Sequence, residues 1–410
     1  MILKENLMVK KILFVDDEPR VLQGLQRMLR CMISEWEMKF VESGQAALDL
    51  MSQEQFDVLV TDMRMPGMDG AQLLTRVKEL YPSVIRIVLS GQSDRETILK
   101  SVRPAHQYLS KPCDAENLKS TITRAFALRD LLGNKDLKHI VSKIDALPSM
   151  PALYKQIMEE LSSDDPSLRK VGEIISKDVG MTAKMLQLVN SAFFGMYNHI
   201  SNPIQAVNLL GLDTIKALVM TVQIFSQFKE KAISQHYLEV LWMHSLRTGQ
   251  CSRYIAMAEL NNKQFVDDVF MAGLLHDIGK LVLLVNFPKE YKEVVQAAKV
   301  PDISCWESES VIFGTTHAEI GAYLMGIWGL SDPIVEAIAY HHFPSRCPHK
   351  CISPLAMVHV VDAILNHEPE NGEAVQGLDK DFLEQLTIMD SIPKWKELCQ
   401  KGTEEQLVND

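Results

Sequence analysis

Three aspartates, a serine and a lysine each stand at the end of a short apolar run in the first third of the chain. Asp16 and Asp17 follow the first run, Asp62 the third and Lys111 the fifth, while Ser90 ends the fourth. Carboxylates gathered at one place raise one another's pKa, and Mg²⁺ relieves that repulsion because it prefers carboxylate, water and phosphate oxygens. A carboxylate nucleophile with a cation, a hydroxyl and a lysine has the components that an aspartyl phosphate requires.

A second set of reactive residue types, histidines and aspartates, lies in the C-terminal half. His276 and Asp277 are adjacent in GLLHDIGK, and Lys280 follows one turn later. Further ligand types lie on separate helical segments: His244, His317, His341, His342 and Asp362. Each alone is more often a hydrogen-bonded core or surface residue than a ligand. As an ordered set, imidazoles with carboxylates suit Fe, Mn or Zn.

The segment CPHKC at 347–351 is a separate arrangement of zinc-ligand types. Its two cysteines and one histidine supply three ligands, but no matching second pair is evident in the sequence. An ordinary loop with two reduced cysteines is the favoured interpretation.

The apolar runs that end at the first set alternate with amphipathic stretches between residues 11 and 109. The runs lie at 12–15, 38–41, 58–60, 85–89 and 108–109, and helix-like segments such as 20–30 and 70–80 stand between them. This βαβα alternation predicts a doubly wound, parallel five-stranded sheet with helices on both faces. Binding residues of such sheets lie just beyond the carboxyl ends of strands, so the first set is expected at one edge.

Beyond residue 109, the strand-like runs stop and helical patterns broken by Pro and Gly continue to the C-terminus. Apolar residues at helical spacing predict a helical connector over 115–144, while Gly133-Asn134 leaves a hinge equally open. The predicted fold class is therefore α/β plus all-α. The predicted domains are 1–130, overlapped by the connector, and an all-helical domain over 145–410.

Bulk composition narrows the class of protein. A length of 410 residues predicts two or three domains, and a net charge of −11 argues against nucleic-acid binding over a broad surface. The seven scattered cysteines suit a reducing compartment. Because neither a signal peptide nor an apolar stretch of about 20 residues is evident, we expect a cytoplasmic protein that does not enter a membrane.

The motifs VDDE, DMRMPGMDG, LSG and YLSKP resemble the receiver domain of two-component response regulators, over about residues 9–130. This resemblance implies that Asp62 accepts a phosphoryl group. It also implies that Asp16, Asp17 and Asp62 hold Mg²⁺ with the backbone carbonyl of Arg64.

The same resemblance assigns three further roles. Lys111 would pair with the phosphoryl group, Ser90 would be the switch hydroxyl and Tyr108 the coupled aromatic. Since the sequence contains no GxxxxGK[ST] phosphate loop, the expected phosphodonor is a cognate sensor histidine kinase or a phosphotransfer protein.

Three stretches of the C-terminal half resemble the HDOD output domain, an HD-related module of bacterial signalling, over about residues 140–345. They read IDALPSMPALYKQIMEEL, IISKDVGMTAKMLQLVNSAFFG and ISNPIQAVNLLGLDTIKALV. The histidine and aspartate set also matches the ligand order of metal-dependent HD phosphohydrolases, which implies a candidate metal site. However, enzymes that hydrolyse cyclic di-GMP carry Glu and then GYP after the paired histidines, whereas this chain continues with Phe343-Pro344.

Two functions from different classes remain open on the sequence. In the favoured one, phosphorylation of Asp62 controls an HDOD domain that acts mainly through contacts with a downstream signalling protein. In the alternative, the chain is a phosphorylation-controlled HD phosphohydrolase of a cyclic dinucleotide, with Lys280 assisting. No basic recognition helix follows the receiver, so DNA binding is not expected. A homodimer is compatible with either function.

Overall fold

The computed structural model describes residues 10–90, 105–111, 113–131, 144, 148–149, 151–163, 165–190, 200–216, 219, 226–227, 235–260, 262–298, 303–366 and 375–407. Within this part of the chain, no helix is both long and apolar enough to cross a bilayer.

The N-terminal part is an α/β layer structure built on a five-stranded sheet. Its strands and helices are β1 (Lys10–Val15), α1 (Pro19–Met28), β2 (Trp36–Val41), α2 (Gly44–Met51), β3 (Val58–Asp62), α3 (Gly70–Leu80), β4 (Ile85–Ser90), β5 (Gln107–Ser110) and α4 (Ala115–Leu131). The strand order is β2-β1-β3-β4-β5, and every neighbouring pair is parallel. The predicted doubly wound parallel sheet is confirmed, and all five apolar runs are strands.

Side-chain alternation along the strands explains why helices cover both faces of this sheet. In β1, Ile12 and Phe14 join an apolar cluster with residues of α1 and α4. Leu13 and Val15 point to the other face and join residues of α2 and α3. Because successive side chains of a strand point to opposite faces, a run that is apolar at every position is buried on both sides.

The C-terminal part is helical. Its helices are α5 (Pro151–Leu161), α6 (Leu168–Ser176), α7 (Val179–Asn190), α8 (Pro203–Leu210), α9 (Leu212–Lys216), α10 (Gln235–Glu259), α11 (Lys263–Leu275), α12 (Ile278–Asn286), α13 (Pro288–Ala297), α14 (Cys305–Phe313), α15 (His317–Ile327), α16 (Asp332–Tyr340), α17 (Pro354–Asn366), α18 (Lys380–Gln385) and α19 (Ile392–Leu407). One difference from the sequence interpretation is a two-residue parallel pairing of β6 (Pro148–Ser149) with β7 (Ser226–Gln227). A pair this short has no periodicity that a sequence pattern could reveal.

Capping residues fix where the helices that carry reactive side chains begin. The Thr316 hydroxyl accepts from the backbone N–H of Glu319, whose carboxylate accepts from the backbone N–H of Thr316, so α15 begins in a capping box at His317. The same reciprocal arrangement, made by Asp69 and Gln72, begins α3 beside β3. These caps therefore fix where α3 and α15 begin and, with them, the positions of the neighbouring site residues.

The last helix of the N-terminal part, α4, packs on the helical part against α15. The Arg124 guanidinium donates to the carbonyl of Leu330, in the turn between α15 and α16. Its Nε lies 2.9 Å from Asp332 Oδ1 at the start of α16. Gln107, in β5, donates to the carbonyl of Gly326 at 3.4 Å. Of the predicted connector, 115–131 is helical, and 132–143 lies outside the described residues.

Helices α12 and α15 approach each other so closely that only glycine fits at the crossing. A Cβ at Gly279 would lie 1.9 Å from the carbonyl oxygen of His317, which is backbone and has little freedom to move. We expect Gly279→Ala to lower the free energy of unfolding of the helical part by about 1–3 kcal/mol, or more, through overpacking.

Gly24→Ala is the matched control for this substitution. Gly24 also lies inside a helix, but a Cβ there meets nothing within 4 Å, so alanine should stabilise by about 0.4–1 kcal/mol. Urea unfolding followed by circular dichroism measures both changes. Equal effects of the two variants would contradict the close crossing.

Candidate functional site

The carboxyl edge of the sheet holds the acidic cluster that the strand order brings together. Asp16 follows β1, Asp62 ends β3 and Lys111 follows β5. Lys111 Nζ donates to Asp16 Oδ2 at 2.7 Å and also donates to Asp62 Oδ1. One ammonium therefore bridges two carboxylates from different strands.

Burial and hydrogen bonding set the electrostatics of Asp62. Its side chain is largely buried, and Oδ2 accepts from the backbone N–H of Arg64 at 2.7 Å. Burial outweighs Lys111 and raises the pKa of Asp62 above the ordinary carboxyl value. For Lys111, burial acts to lower the pKa, but the two carboxylates outweigh it and raise it. The lysine therefore stays charged and compensates the acidic groups.

The other predicted receiver residues lie around this cluster. Asp16 is buried and accepts from the backbone N–H of Glu18 at 2.9 Å, while Asp17 is partly exposed. Tyr108 is buried in β5. Ser90 pairs with Ser110 through the backbone register, and its hydroxyl lies outside the described part of the structure.

In the helical part, seven predicted residues from five chain segments converge. His276 and Asp277 join α11 to α12, and the others come from α10, α15, the end of α16 and α17. The seven, which form the histidine cluster, are His244, His276, Asp277, His317, His341, His342 and Asp362. Ligand atoms lie within 4.8 Å of one another in each of three triads that together contain all seven.

One side of this histidine cluster is built around Asp362. Its Oδ1 lies 2.9 Å from His244 Nε2 and 3.4 Å from His276 Nε2. Asp277 Oδ2 lies 3.4 Å from the same His276 nitrogen. Two imidazoles and two carboxylates therefore face a common point.

The other side is built around His317. Its Nε2 lies 3.0 Å from His342 Nε2 and 3.4 Å from His341 Nε2. Asp277 Oδ1 lies 3.2 Å from His317 Nε2 and 3.8 Å from His341 Nε2. Asp277 thus stands between the two sides with one oxygen toward each, which is suited to a pair of cations that share a carboxylate.

Hydrogen bonds behind the cluster orient three imidazoles. Nδ1 of His276 donates to the carbonyl of Gly273 at 2.7 Å, and Nδ1 of His341 donates to the carbonyl of Ile338 at 2.8 Å. Nδ1 of His317 lies 2.6 Å from a carboxylate oxygen of Glu309. A donor role for Nδ1 turns the Nε2 lone pair inward, as outer hydrogen bonds do at metal centres.

Two buried atoms at the centre have no hydrogen-bond partner among the described residues: His276 Nε2 and Asp277 Oδ1. Their charged neighbours are His317 Nε2, 3.2 Å from Asp277 Oδ1, and Asp362 Oδ1, 3.4 Å from His276 Nε2. Buried polar atoms are almost always satisfied. A cation bound between these two atoms would accept a lone pair from each, so the cluster residues fit a metal ion.

Charge within the cluster is balanced by protons. Burial, reinforced by His276 and His317, lowers the pKa of His341 to about 3. Burial also acts to lower the pKa of His317, but Glu309 outweighs it and raises the pKa to about 9. Burial alone would raise the pKa of Asp277, yet His276 and Lys280 hold it well below its usual range. A bound cation would replace protons in this balance.

Lys280 belongs to this balance as a fixed charge. Its Nζ donates to Asp277 Oδ2 at 2.7 Å. Burial acts to lower the pKa of Lys280, but Asp277 outweighs it and raises it. The side chain is therefore a permanent cation beside the cluster.

Glu309 is the residue of this site that sequence reasoning missed. It is fully buried and accepts from both the backbone N–H and the ring of His317. The sequence does contain a signal for it: Glu309 lies in α14 at helical spacing from Cys305, Ile312 and Phe313. Of these, Cys305 and Ile312 are half-buried and Phe313 is buried. A carboxylate on the apolar side of a helix needs a partner.

Comparison with known proteins gives two family matches. Residues 12–123 match the response regulator receiver domain, and residues 147–344 match the HDOD domain. An uncharacterized protein of Treponema pallidum is 27% identical over 56% of this chain and 44% of its own length. The hydrogenase transcriptional regulatory protein HoxA of Cupriavidus necator is 32% identical over 37% of this chain and 30% of its own length. The chain thus spans less than half of each of these relatives.

Two solved structures are also similar. The signal receiver domain of an HD domain-containing protein from Pseudomonas fluorescens Pf-5 is 32% identical, with a TM-score of 0.28, over 30% of this chain and 97% of that one. The MmoQ response regulator of Methylococcus capsulatus is 19% identical, with a TM-score of 0.46, over 59% of this chain and 98% of that one.

The two family matches follow one another along the chain, and their order agrees with the observed architecture of a parallel α/β sheet followed by helices. The chain therefore belongs to the response regulators that combine an N-terminal receiver domain with a C-terminal HDOD domain.

Proposed function

We propose that phosphorylation of Asp62 in the presence of Mg²⁺ controls the HDOD domain, which acts mainly through contacts with a downstream signalling protein. The observation that carries the proposal is the bridge from Lys111 to Asp16 and Asp62 at the carboxyl edge of the sheet. The phosphodonor in this proposal is a sensor histidine kinase or a phosphotransfer protein.

The residues at this edge fit Mg²⁺ because they offer oxygen ligands and leave a charge to be neutralised. Asp16, Asp17, Asp62 and the Arg64 carbonyl would hold the ion, which supplies positive charge for the phosphoryl oxygens. A carboxylate oxygen of Asp62 forms the new bond to phosphorus as the donor group leaves. Lys111, already directed at that carboxylate, then pairs with the added negative charge.

The contact between receiver and helical part offers a route from this edge to the output. Tyr108 is buried in β5, the strand that also carries Gln107, whose side chain contacts the helical part. Arg124 holds the end of α15, which begins at His317, and lies beside the start of α16, which ends next to His341. A displacement of the receiver surface would therefore move the helices that position the histidine cluster.

Two pairs of exposed apolar residues on α10, with Arg247 and Gln250 between them, support an output that works through protein contacts. Val240, Met243, Tyr254 and Met257 on α10 are between 37% and 59% exposed. Their spacing places them on one face of the helix. Exposed apolar surface of this kind is typical of protein interaction sites.

A metal-dependent phosphohydrolase is the second candidate, and the two unsatisfied atoms in the histidine cluster favour it. The seven cluster residues would hold Fe, Mn or Zn, and a bound metal would supply an activated water. Lys280, paired with Asp277, keeps that carboxylate ionised and adds positive charge beside the cluster. The missing Glu and GYP of the enzymes that hydrolyse cyclic di-GMP favour the contact-based output.

The phosphorylation proposal predicts that radiolabelled acetyl phosphate with Mg²⁺ labels the full chain, and that Asp62→Asn abolishes the label. The amide removes the nucleophilic charge with little change in volume. Asp49→Asn is the matched control, since Asp49 is an exposed carboxylate on α2, and it should keep full labelling. Labelling of Asp62→Asn, or no labelling of the parent chain, would contradict the proposal.

The coupling route predicts that phosphoryl loading changes amide hydrogen exchange in 115–131 and 317–340. In Arg124→Ala, that difference should shrink or disappear at 317–340, because the contact from α4 to the ends of α15 and α16 is lost. Arg27→Ala, an exposed arginine on α1, should leave the difference intact. Identical exchange with and without phosphoryl loading in the parent chain would rule out this route.

The metal proposal predicts Fe, Mn or Zn at the histidine cluster of the purified chain, and a loss of most of this cluster-bound metal in Asp277→Asn. The loss follows because the shared carboxylate becomes a weak ligand. Asp381→Asn changes an exposed carboxylate in the first turn of α18 and should retain the metal. Elemental analysis measures both variants.

A cyclic di-GMP assay of the metal-loaded chain then separates the two outputs. Turnover that is lost in Asp277→Asn would establish the phosphohydrolase, whereas metal-loaded protein without turnover would leave the contact-based output.

A further inference from the structure

Outside the histidine cluster, a second group of metal-ligand types lies at the end of α16. After His342, the chain turns through a short 3₁₀ helix, Pro344–Arg346, and then runs through the CPHKC segment. Cys347 is only 2% exposed, whereas the side chain of His349 is 68% exposed. The sequence offered this segment as an incomplete set of zinc ligands, and the fold adds a carboxylate to it.

That carboxylate belongs to Glu336, which lies on α16 one turn before the end of the helix. Glu336 Oε2 lies 3.8 Å from Cys347 Sγ, and Oε1 lies 2.7 Å from His349 Nδ1. The sulfur, the imidazole nitrogen and a carboxylate oxygen all lie within 4.8 Å of one another. Three groups separated by up to 13 residues therefore meet at one point.

We propose that Glu336, Cys347 and His349 form a Zn²⁺ site that is separate from the histidine cluster. Typical Zn–S and Zn–O bonds at a tetrahedral angle place sulfur and oxygen about 3.6 Å apart, close to the separation of Cys347 from Glu336. A thiolate with an imidazole selects zinc over Mg²⁺ or Ca²⁺, which take oxygen ligands.

The charge and protons of this site balance on metal binding. The thiol of Cys347 loses its proton to solvent, and the proton on Nδ1 of His349 moves to Nε2 so that Nδ1 can coordinate. One thiolate and one ionised carboxylate then neutralise the two charges of Zn²⁺. Water completes the coordination, because the His349 side of the site is open to solvent.

The proposed site lies beside a cavity between the two parts of the chain. Glu336 and Pro348 also line a cavity of about 530 Å³ between α16 and the receiver helix α4, opposite Lys119 and Arg124. A bound Zn²⁺ ties the 347–349 loop to α16 and so fixes one wall of that cavity. The inference goes beyond the proposed function, since neither phosphorylation nor the histidine cluster requires it.

Cobalt substitution in the full chain tests the proposal, because thiolate-to-cobalt charge transfer produces an absorption band that imidazole and carboxylate ligands do not. The histidine cluster contains no cysteine, so the band reports on this site. We expect Co²⁺ to produce the band, Zn²⁺ to displace it, and Cys347→Ser to abolish it. Since His349 is exposed, His349→Ala should fold normally and weaken Co²⁺ binding at least about tenfold.

Cys351→Ser is the matched control, because Cys351 is an exposed cysteine of the same loop outside the ligand triad. It should keep the band at full intensity. Circular dichroism verifies that every variant is folded. No band in the parent chain, an unchanged band in Cys347→Ser, or loss of the band in Cys351→Ser would overturn the proposed ligand set.

Discussion

Buried negative charge that must be compensated is the constraint on which both candidate sites of this response regulator depend. At the sheet edge, Asp16 and Asp62 are held together by the ammonium of Lys111. In the helical part, Asp277 is held by Lys280 and by protonated imidazole. In each region a neighbouring cation compensates a buried carboxylate, because an isolated buried charge would be too costly. In the proposed functions, each region would take up a further charged group, a phosphoryl or a metal cation, by exchanging one partner for another.

The fold serves this constraint by bringing distant parts of the chain to common points. Parallel strands align their carboxyl ends, so residues 46 positions apart meet after β1 and β3. Helix ends do the same for five residues of the cluster, which lie at the junction of α11 with α12, at the start of α15 and at the end of α16, while His244 and Asp362 lie inside α10 and α17. Reactive side chains at the ends of elements can be repositioned by rigid movement of the whole element, without breaking its hydrogen bonds.

The sequence predicted most of this arrangement, because the patterns that carry it are periodic or lie at fixed offsets. Short apolar runs predicted the strands, and the fold class followed from the alternation of these runs with helix-like segments. The ligand types of the cluster were predicted by their order along the chain. Glu309 and Glu336 could not be found in the same way, since each is a single carboxylate on a helix that meets its partners only through tertiary packing. The contact of Arg124 with Leu330 and Asp332 likewise depends on how two domains pack, on which local periodicity carries no information.

Ten of the eleven residues of α15 are buried, including His317 at its start. A helix without a solvent face cannot fray to release a ligand, so a cation in the cluster would leave only by another path. Among the seven cluster side chains, those of His276, Asp277, His317, His341 and Asp362 are at most 9% exposed, whereas His244 is 18% exposed and His342 is also half-buried. The solvent-facing side of the cluster therefore lies at His244 and His342, and motions of α10 and of the end of α16 would set how quickly an ion enters or escapes.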